Sequence, residues 1–138
     1  MAIKKLNPYL NYDGNAAKAI ALYERVLGAK VEGLQRFGDM PGPGGAPETK
    51  DRVMHAVLHI GQGLVMVSDG MPGKPPTLGS NIHITLDFDD EADMAQKFDG
   101  LAAGGKIEMP LQDTFWGARF GMLTDPFGIN WMFNCQKK

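Results

Sequence analysis

Leu10-Asn-Tyr-Asp13, followed through to Gly28-Ala-Lys30-Val31-Glu32, returns as Leu86-Asp-Phe-Asp89 through Gly104-Gly-Lys106-Ile107-Glu108. The shift is 76 residues, from Leu10 to Leu86, and it needs no gap. Leu10/Leu86, Asp13/Asp89, Ala16/Ala92, Ala19/Ala95, Gly28/Gly104, Lys30/Lys106 and Glu32/Glu108 are identical; Tyr12/Phe88 and Val31/Ile107 are conservative. Unrelated segments of this length share roughly one or two identities, so the pattern reads as a duplicated supersecondary unit.

Outward from the repeat, residues 6–12 read as a strand, with Leu6, Leu10 and Tyr12 on one face and Asn7, Tyr9 and Asn11 on the other. Asp13-Gly-Asn15 supplies turn and cap chemistry for a helix carrying Ala16, Ala19, Ile20, Tyr23, Val26 and Leu27, which Gly28 stops. A second strand is expected over 30–37, then a loop over 38–50 in which Asp39 and Glu48 read as solvated charges. Residues 53–60 alternate, with Met54, Ala56, Leu58 and Ile60 on one face, and Gly61-Gln-Gly63 turns the chain into 64–67. The second half follows the same order. Ile82, Ile84, Leu86 and Phe88 oppose His83, Thr85 and Asp87 on a strand. A helix carries Met94, Ala95, Phe98, Leu101 and Ala102, and strands follow near 106–112, 118–124 and 129–134, the last two joined at Asp125-Pro-Phe-Gly128.

The expected fold is α+β: two paired βαβββ modules, 3–69 and 80–135, joined by a Pro/Gly-rich linker over 70–79 within one domain of 1–138. One face of each strand is apolar and must meet a helix. The other is mixed. Two four-stranded sheets of this kind are expected to form a curved eight-stranded cup with helices outside, and concave, partly polar surfaces are where small ligands bind.

Composition narrows the function. Of 138 residues, 43% are hydrophobic, enough for a core, and the formal net charge is −2 with no basic stripe, which argues against nucleic acid. No run approaches the roughly 18 apolar residues of a membrane helix. Met1-Ala-Ile-Lys-Lys5 has no signal-peptide character, and one cysteine, Cys135, allows no internal disulfide; a cytoplasmic setting is expected. Gly70-Met-Pro-Gly-Lys74 fails as a phosphate loop because Pro75 follows the lysine.

Several stretches carry a family resemblance: Asn7-Pro-Tyr-Leu-Asn-Tyr-Asp-Gly-Asn-Ala16, Leu22-Tyr-Glu-Arg-Val-Leu-Gly28, Arg36-Phe-Gly-Asp-Met-Pro41, Met54-His-Ala56, Leu111-Gln-Asp-Thr-Phe-Trp-Gly117 and Thr124-Asp-Pro-Phe-Gly-Ile-Asn-Trp-Met132. With the paired βαβββ pattern, they resemble the PhnB-like branch of the vicinal oxygen chelate superfamily, which includes glyoxalase I, extradiol dioxygenases and the fosfomycin and bleomycin resistance proteins. The resemblance implies the fold, a homodimer, and a cup that serves isomerases, dioxygenases, transferases and plain binders alike. Some relatives are labelled methyltransferases, but no strand–glycine-rich turn–helix for S-adenosylmethionine is present here.

Catalytic members hold a divalent metal with His, Glu or Gln from the first and last strand of each module. Carried over by the repeat, those positions are Asn7, Val67, His83 and Met132; a one-residue phase error exchanges Met66 or Trp131. One histidine among them makes a poor site for Zn, Ni, Fe or Mn, so no metal and no cofactor are expected. His55 and His59 lie on a strand, where four residues span about 13 Å, and do not grip one ion together. Arg36 and Gln112 are equivalent under the repeat, and Arg36 or Arg119 is placed to meet an anion. Trp116 beside Gly117 is placed to wall a pocket.

The expected ligand-binding set is Asn7, Tyr9, Arg36, His55, His83, Gln112, Trp116 and Met132. The expected function is metal-free binding of a small organic molecule. The alternative is a glyoxalase-like isomerase or lyase acting on a small anionic substrate with His83 as acid/base.

Overall fold

Each half of the chain builds the same unit, as the computed structural model shows for residues 2–39 and 49–137. The boundary falls between Met1–Pro76 and Thr77–Lys138. The first unit contains β1 (Tyr9–Asn11), α1 (Ala16–Leu27), β2 (Lys30–Arg36), a 3-10 turn at Phe37–Asp39, β3 (Val53–Ile60) and β4 (Gly63–Ser68). The second contains β5 (Ile84–Phe88), α2 (Glu91–Ala102), β6 (Lys106–Asp113), β7 (Ala118–Thr124) and β8 (Asn130–Gln136). Sheet orders are β1-β4-β3-β2 and β5-β8-β7-β6. In each, the first strand runs parallel to the last and the other pairs are antiparallel. The α+β, twice-βαβββ expectation holds.

One face of each sheet is packed by its helix. Ala16, Ala19, Ile20, Tyr23 and Leu27 of α1 are buried, as are Leu10, Ala56, Leu58, Val65 and Val67 of the sheet. The Tyr12 and Tyr23 hydroxyls meet at 2.9 Å within this core. Met94, Phe98 and Leu101 of α2 are buried with Leu123, Trp131 and Phe133, and the Phe98 and Phe133 rings pack edge to face at 5.1 Å. These apolar stripes arise because side chains recur every 3.6 residues on the helices and every second residue on the strands.

The helix starts differ. Asp90 caps α2 locally, its side chain accepting from the N–H groups of Ala92 and Asp93. Asn15 makes no such bond for α1; its side chain accepts from Asp13 N–H instead. Buried Asp69, at the end of β4, takes the Gly14 and Ala16 N–H groups at 2.8 and 2.9 Å on one oxygen and the Val53 N–H at 2.8 Å on the other. Asp125 does related work in the second unit, accepting from Phe127 and Ile129 N–H and from the Trp131 indole at 2.9 Å.

Three expectations about elements are corrected. The strand expected over 6–12 is only Tyr9–Asn11, because Pro8 has no N–H to pair; Leu6 is 91% exposed instead of lying on the core face. The strand carrying His83 begins at Ile84, and Ile82 is 74% exposed rather than core. The loop expected over 38–50 contains the end of the 3-10 turn, where Asp39 accepts from the Arg36 N–H at 2.9 Å rather than standing as a bare solvated charge. Glu48 lies outside the described residues.

Candidate functional site

The face of each sheet turned away from its helix carries the candidate residues, and strand register gives their rows. In the first unit Tyr9 pairs with Met66, Met66 with Val57, and Val57 with Glu32. In the second, Thr85 pairs with Met132, Met132 with Met122, and Met122 with Met109. These rows correspond, since Tyr9 and Thr85 are 76 apart. The second unit therefore presents three thioethers side by side where the first has Met66, Val57 and Glu32. The neighbouring row of the second unit is Asp87, Asn134, Phe120 and Gln112.

In the first unit the Tyr9 hydroxyl lies 2.8 Å from His55 Nδ1, with ring centroids 5.7 Å apart. Sequence reading named both residues, and the fold joins them. His59 Nε2 sits 2.9 Å from Glu32 Oε2 at the surface, so His59 is held in a surface hydrogen bond. Asn7 lies half-buried just before β1. Arg36, at the end of β2, points Nη1 at the Asp51 carbonyl at 2.6 Å. In the second unit His83 is half-buried immediately before β5, and Met132 occupies the thioether row. Trp116 is 53% exposed and packs edge to face on Phe120 at 6.0 Å, which brings it to the row containing Gln112. Phe115 beside it is 97% exposed.

Register also corrects three equivalences read from the repeat. Val67 pairs with Leu10 as Phe133 pairs with Leu86, so Val67 faces the core; the residue in Met132's place is Met66. The cause is turn length: β3 and β4 are joined by Gly61-Gln62 alone, whereas residues 125–129 join β7 to β8. Gln112 is matched not by Arg36 but by Gln35, since Gln35 pairs with His55 and Gln112 with Phe120. A register shift between Ile107 and Met109 inserts one residue into β6, so Glu108 drops out of step with Glu32 despite the identity.

Arg119 does not serve the open face either. Its guanidinium lies 3.1 Å from Asp113 and 3.9 Å from Glu91 at the start of α2. The Lys137 ammonium, 3.0 Å away, and then the Arg119 guanidinium hold the Asp113 carboxyl below the ordinary carboxylate range. A pocket lined by Asp89, Asp90, Glu91, Cys135, Gln136 and Lys137 opens at this end of α2, away from the thioether row.

Sequence reading missed Met109, Met122, Phe120 and Asn134; it set Asp87 on the mixed strand face and named Met66 only as the one-residue alternative to Val67. The signal for some of them was present: Phe120 and Met122 alternate with buried Gly121 and Leu123, as Met132 and Asn134 do with Trp131 and Phe133.

The metal positions implied by the resemblance now read Asn7, Met66, His83 and Met132. Within either unit, an amide with a thioether or an imidazole with a thioether is a poor donor set for a borderline divalent metal, which favours imidazole, thiolate and carboxylate. Among the described residues no three His, Cys, Asp or Glu side chains cluster as a metal site.

Comparison with known proteins agrees with the architecture. The model of the Glyoxalase/Bleomycin resistance protein/Dioxygenase superfamily matches residues 5–133. Protein YjdN of Escherichia coli is 39% identical over 142 residues, covering 96% of each chain. The structure of protein PA1353 from Pseudomonas aeruginosa superposes with a TM-score of 0.87 at 40% identity, covering 99% of this chain and 100% of that one. The PhnB protein of Bacillus cereus superposes with a TM-score of 0.80 at 24% identity, covering 96% and 99%. With its duplicated βαβββ units and these relatives, the chain belongs to the glyoxalase/bleomycin resistance protein/dioxygenase superfamily.

Proposed function

We propose that the chain binds a small organic molecule on the helix-free faces of its sheets and needs no divalent metal to do so. The observation that carries this reading is the row Thr85, Met132, Met122, Met109, a band of half-buried thioethers in which Met132 takes a position where a metal-dependent relative needs carboxylate or imidazole. Polar neighbours at Asp87, Asn134 and Gln112 supply the few orienting groups such a site needs. Thermal-shift and calorimetric screening of a metabolite panel, with and without EDTA, tests it. At least one compound should raise Tm and bind equally in chelator. No stabilisation by any compound, or stoichiometric Zn, Ni or Fe in protein purified without chelator, overturns it.

A second reading is supported by the Tyr9–His55 hydrogen bond. It pairs two groups able to pass a proton, so an isomerase or lyase activity would draw on this pair rather than on His83 alone. Any turnover found should fall in Tyr9→Phe and His55→Gln, and dependence on His83 alone would reject the pair. We further propose a cytoplasmic homodimer. Ile3, Leu6, Leu78, Ile82 and Phe115 are strongly exposed, and a second copy would cover them; light scattering checks the stoichiometry.

A further inference from the structure

We infer that the second unit's open face takes a planar, π-rich molecule carrying a positive charge or N–H donor at one edge, not an anion. This rests on the binding reading above and names its ligand class.

The argument begins with the three rows of that face. Met109, Met122 and Met132 form a continuous band across β6, β7 and β8, each half-buried. Adjacent strands lie about 4.8 Å apart, so three side chains span about 10 Å, the breadth of a fused ring system. Thioethers are polarisable, lack strong hydrogen-bonding groups and favour contact with aromatic rings. Phe120 extends the band on one side, with Trp116 against it. A flat ring gains from this floor over its whole area, whereas a compact polar ligand leaves most of it unused.

Charge decides the edge. Asp87 lies in the row next to the band, and the Asn134 amide donates to its Oδ1 at 3.0 Å, fixing the carboxylate. Among the described residues the other carboxylate oxygen has no hydrogen-bond or ion-pair partner. On the far border Glu108 and Lys106 pair with each other at 3.8 Å, and Thr124 bonds to Asn130 at 2.9 Å. Arg119, the nearest guanidinium by sequence, is held among Asp113 and Glu91 on the helix side. With Glu108 and Lys106 offsetting each other, Asp87 remains as the anchored charge beside the band.

Three probes separate planarity from charge: 9-aminoacridine, anthracene-9-carboxylate and cyclohexylamine, each titrated into the full chain carrying 13C-methyl methionine. 9-Aminoacridine should move the Met109, Met122 and Met132 methyl signals upfield and bind about ten-fold tighter than anthracene-9-carboxylate, the worth of one charge-assisted hydrogen bond. Asp87→Asn should erase that preference, and Met122→Ala should weaken 9-aminoacridine about five-fold. Equal or tighter binding of the anion, or of cyclohexylamine, at these methionines overturns the ligand class while leaving the binding reading intact. If no probe moves a methionine signal, the ligand class falls, and the metabolite screen alone decides the binding reading. Methyl signals that shift on dilution without any probe would show a second copy covering the band, which also overturns the inference.

Discussion

The two units share a plan but differ on both faces. On the helix side, buried Val67 stands between Leu10 and Ala56 in the first unit; in the second, Phe133 stands between Leu86 and Gly121. The larger Phe133 stands beside the smaller Gly121, whose missing side chain leaves room for Leu111 and for Phe98, the ring packed edge to face on Phe133. On the open side, Tyr9, Met66, Val57 and Glu32 become Thr85, Met132, Met122 and Met109. Backbone pairing is conserved between the units because hydrogen-bonding groups are common to every residue. Side-chain chemistry is free to diverge wherever volumes are traded or solvent is near. A duplicated fold thus fixes where a site residue stands without fixing what it does.

The sharpest way to break this comparison is at the buried carboxylates. Asp69→Ala should cost about 3–5 kcal/mol, because three N–H groups lose a charged acceptor and α1 has no local cap to replace it. Asp125→Ala should cost about 2–4 kcal/mol, since two of its partners belong to its own turn. Urea unfolding measures both; an Asp69→Ala protein as stable as wild type would show that β4 does not hold α1 in place.

Gly121→Ala tests the volume trade. A Cβ there would stand 2.8 Å from Leu111 Cδ2 and 3.0 Å from Phe98 Cε2, so about 1–3 kcal/mol should be lost. Adding Phe133→Val, which copies the first unit's arrangement, should recover part of it in a double-mutant cycle. Additive losses would refute the trade.

Tyr9→Phe should cost less than about 1 kcal/mol, because its bond to His55 is exposed. Its clearer effect is on nitrogen shifts of the His55 ring, which report whether Nδ1 accepted the phenol proton. Unchanged shifts would mean that the pair does not form in solution.

The smallest expected effect is at Asp113. Its carboxyl is lowered in the folded state by Lys137 and Arg119, so its contribution is present above the ordinary carboxylate range and lost as pH falls through its folded-state value. Asp113→Asn should therefore be slightly less stable than wild type near about pH 7 and indistinguishable near about pH 2. A gap that persists in acid would assign the loss to packing instead.

Much of the fold was legible in the chain. The helices announced themselves through apolar spacing and, in the first, Gly28 at a left-handed stop, both local effects. The cap of α1 was not legible, because Asp69 lies 53 residues beyond Ala16 and nothing in its own neighbourhood points to that helix. The candidate site was legible in part. Tyr9 and His55 were placed on open strand faces by alternation, and Met132 by carrying the resemblance's ligand positions through the repeat. Arg36 and Arg119 were not, since a long cation turns toward whichever oxygen the tertiary fold offers.

By itself the sequence determined the duplication, the order of elements and the side of most strands that meets a helix. Those properties depend on periodicity, which residues carry within a few positions of themselves. Only the tertiary structure decided the register: the short turn after Ile60, the longer one after Thr124 and the extra residue at Glu108 each slide one strand against its neighbour. A one-residue slide turns a side chain from the core to the open face, which is why Met66 replaced Val67 at the implied metal position and Met109 joined Met122 and Met132 on the open face.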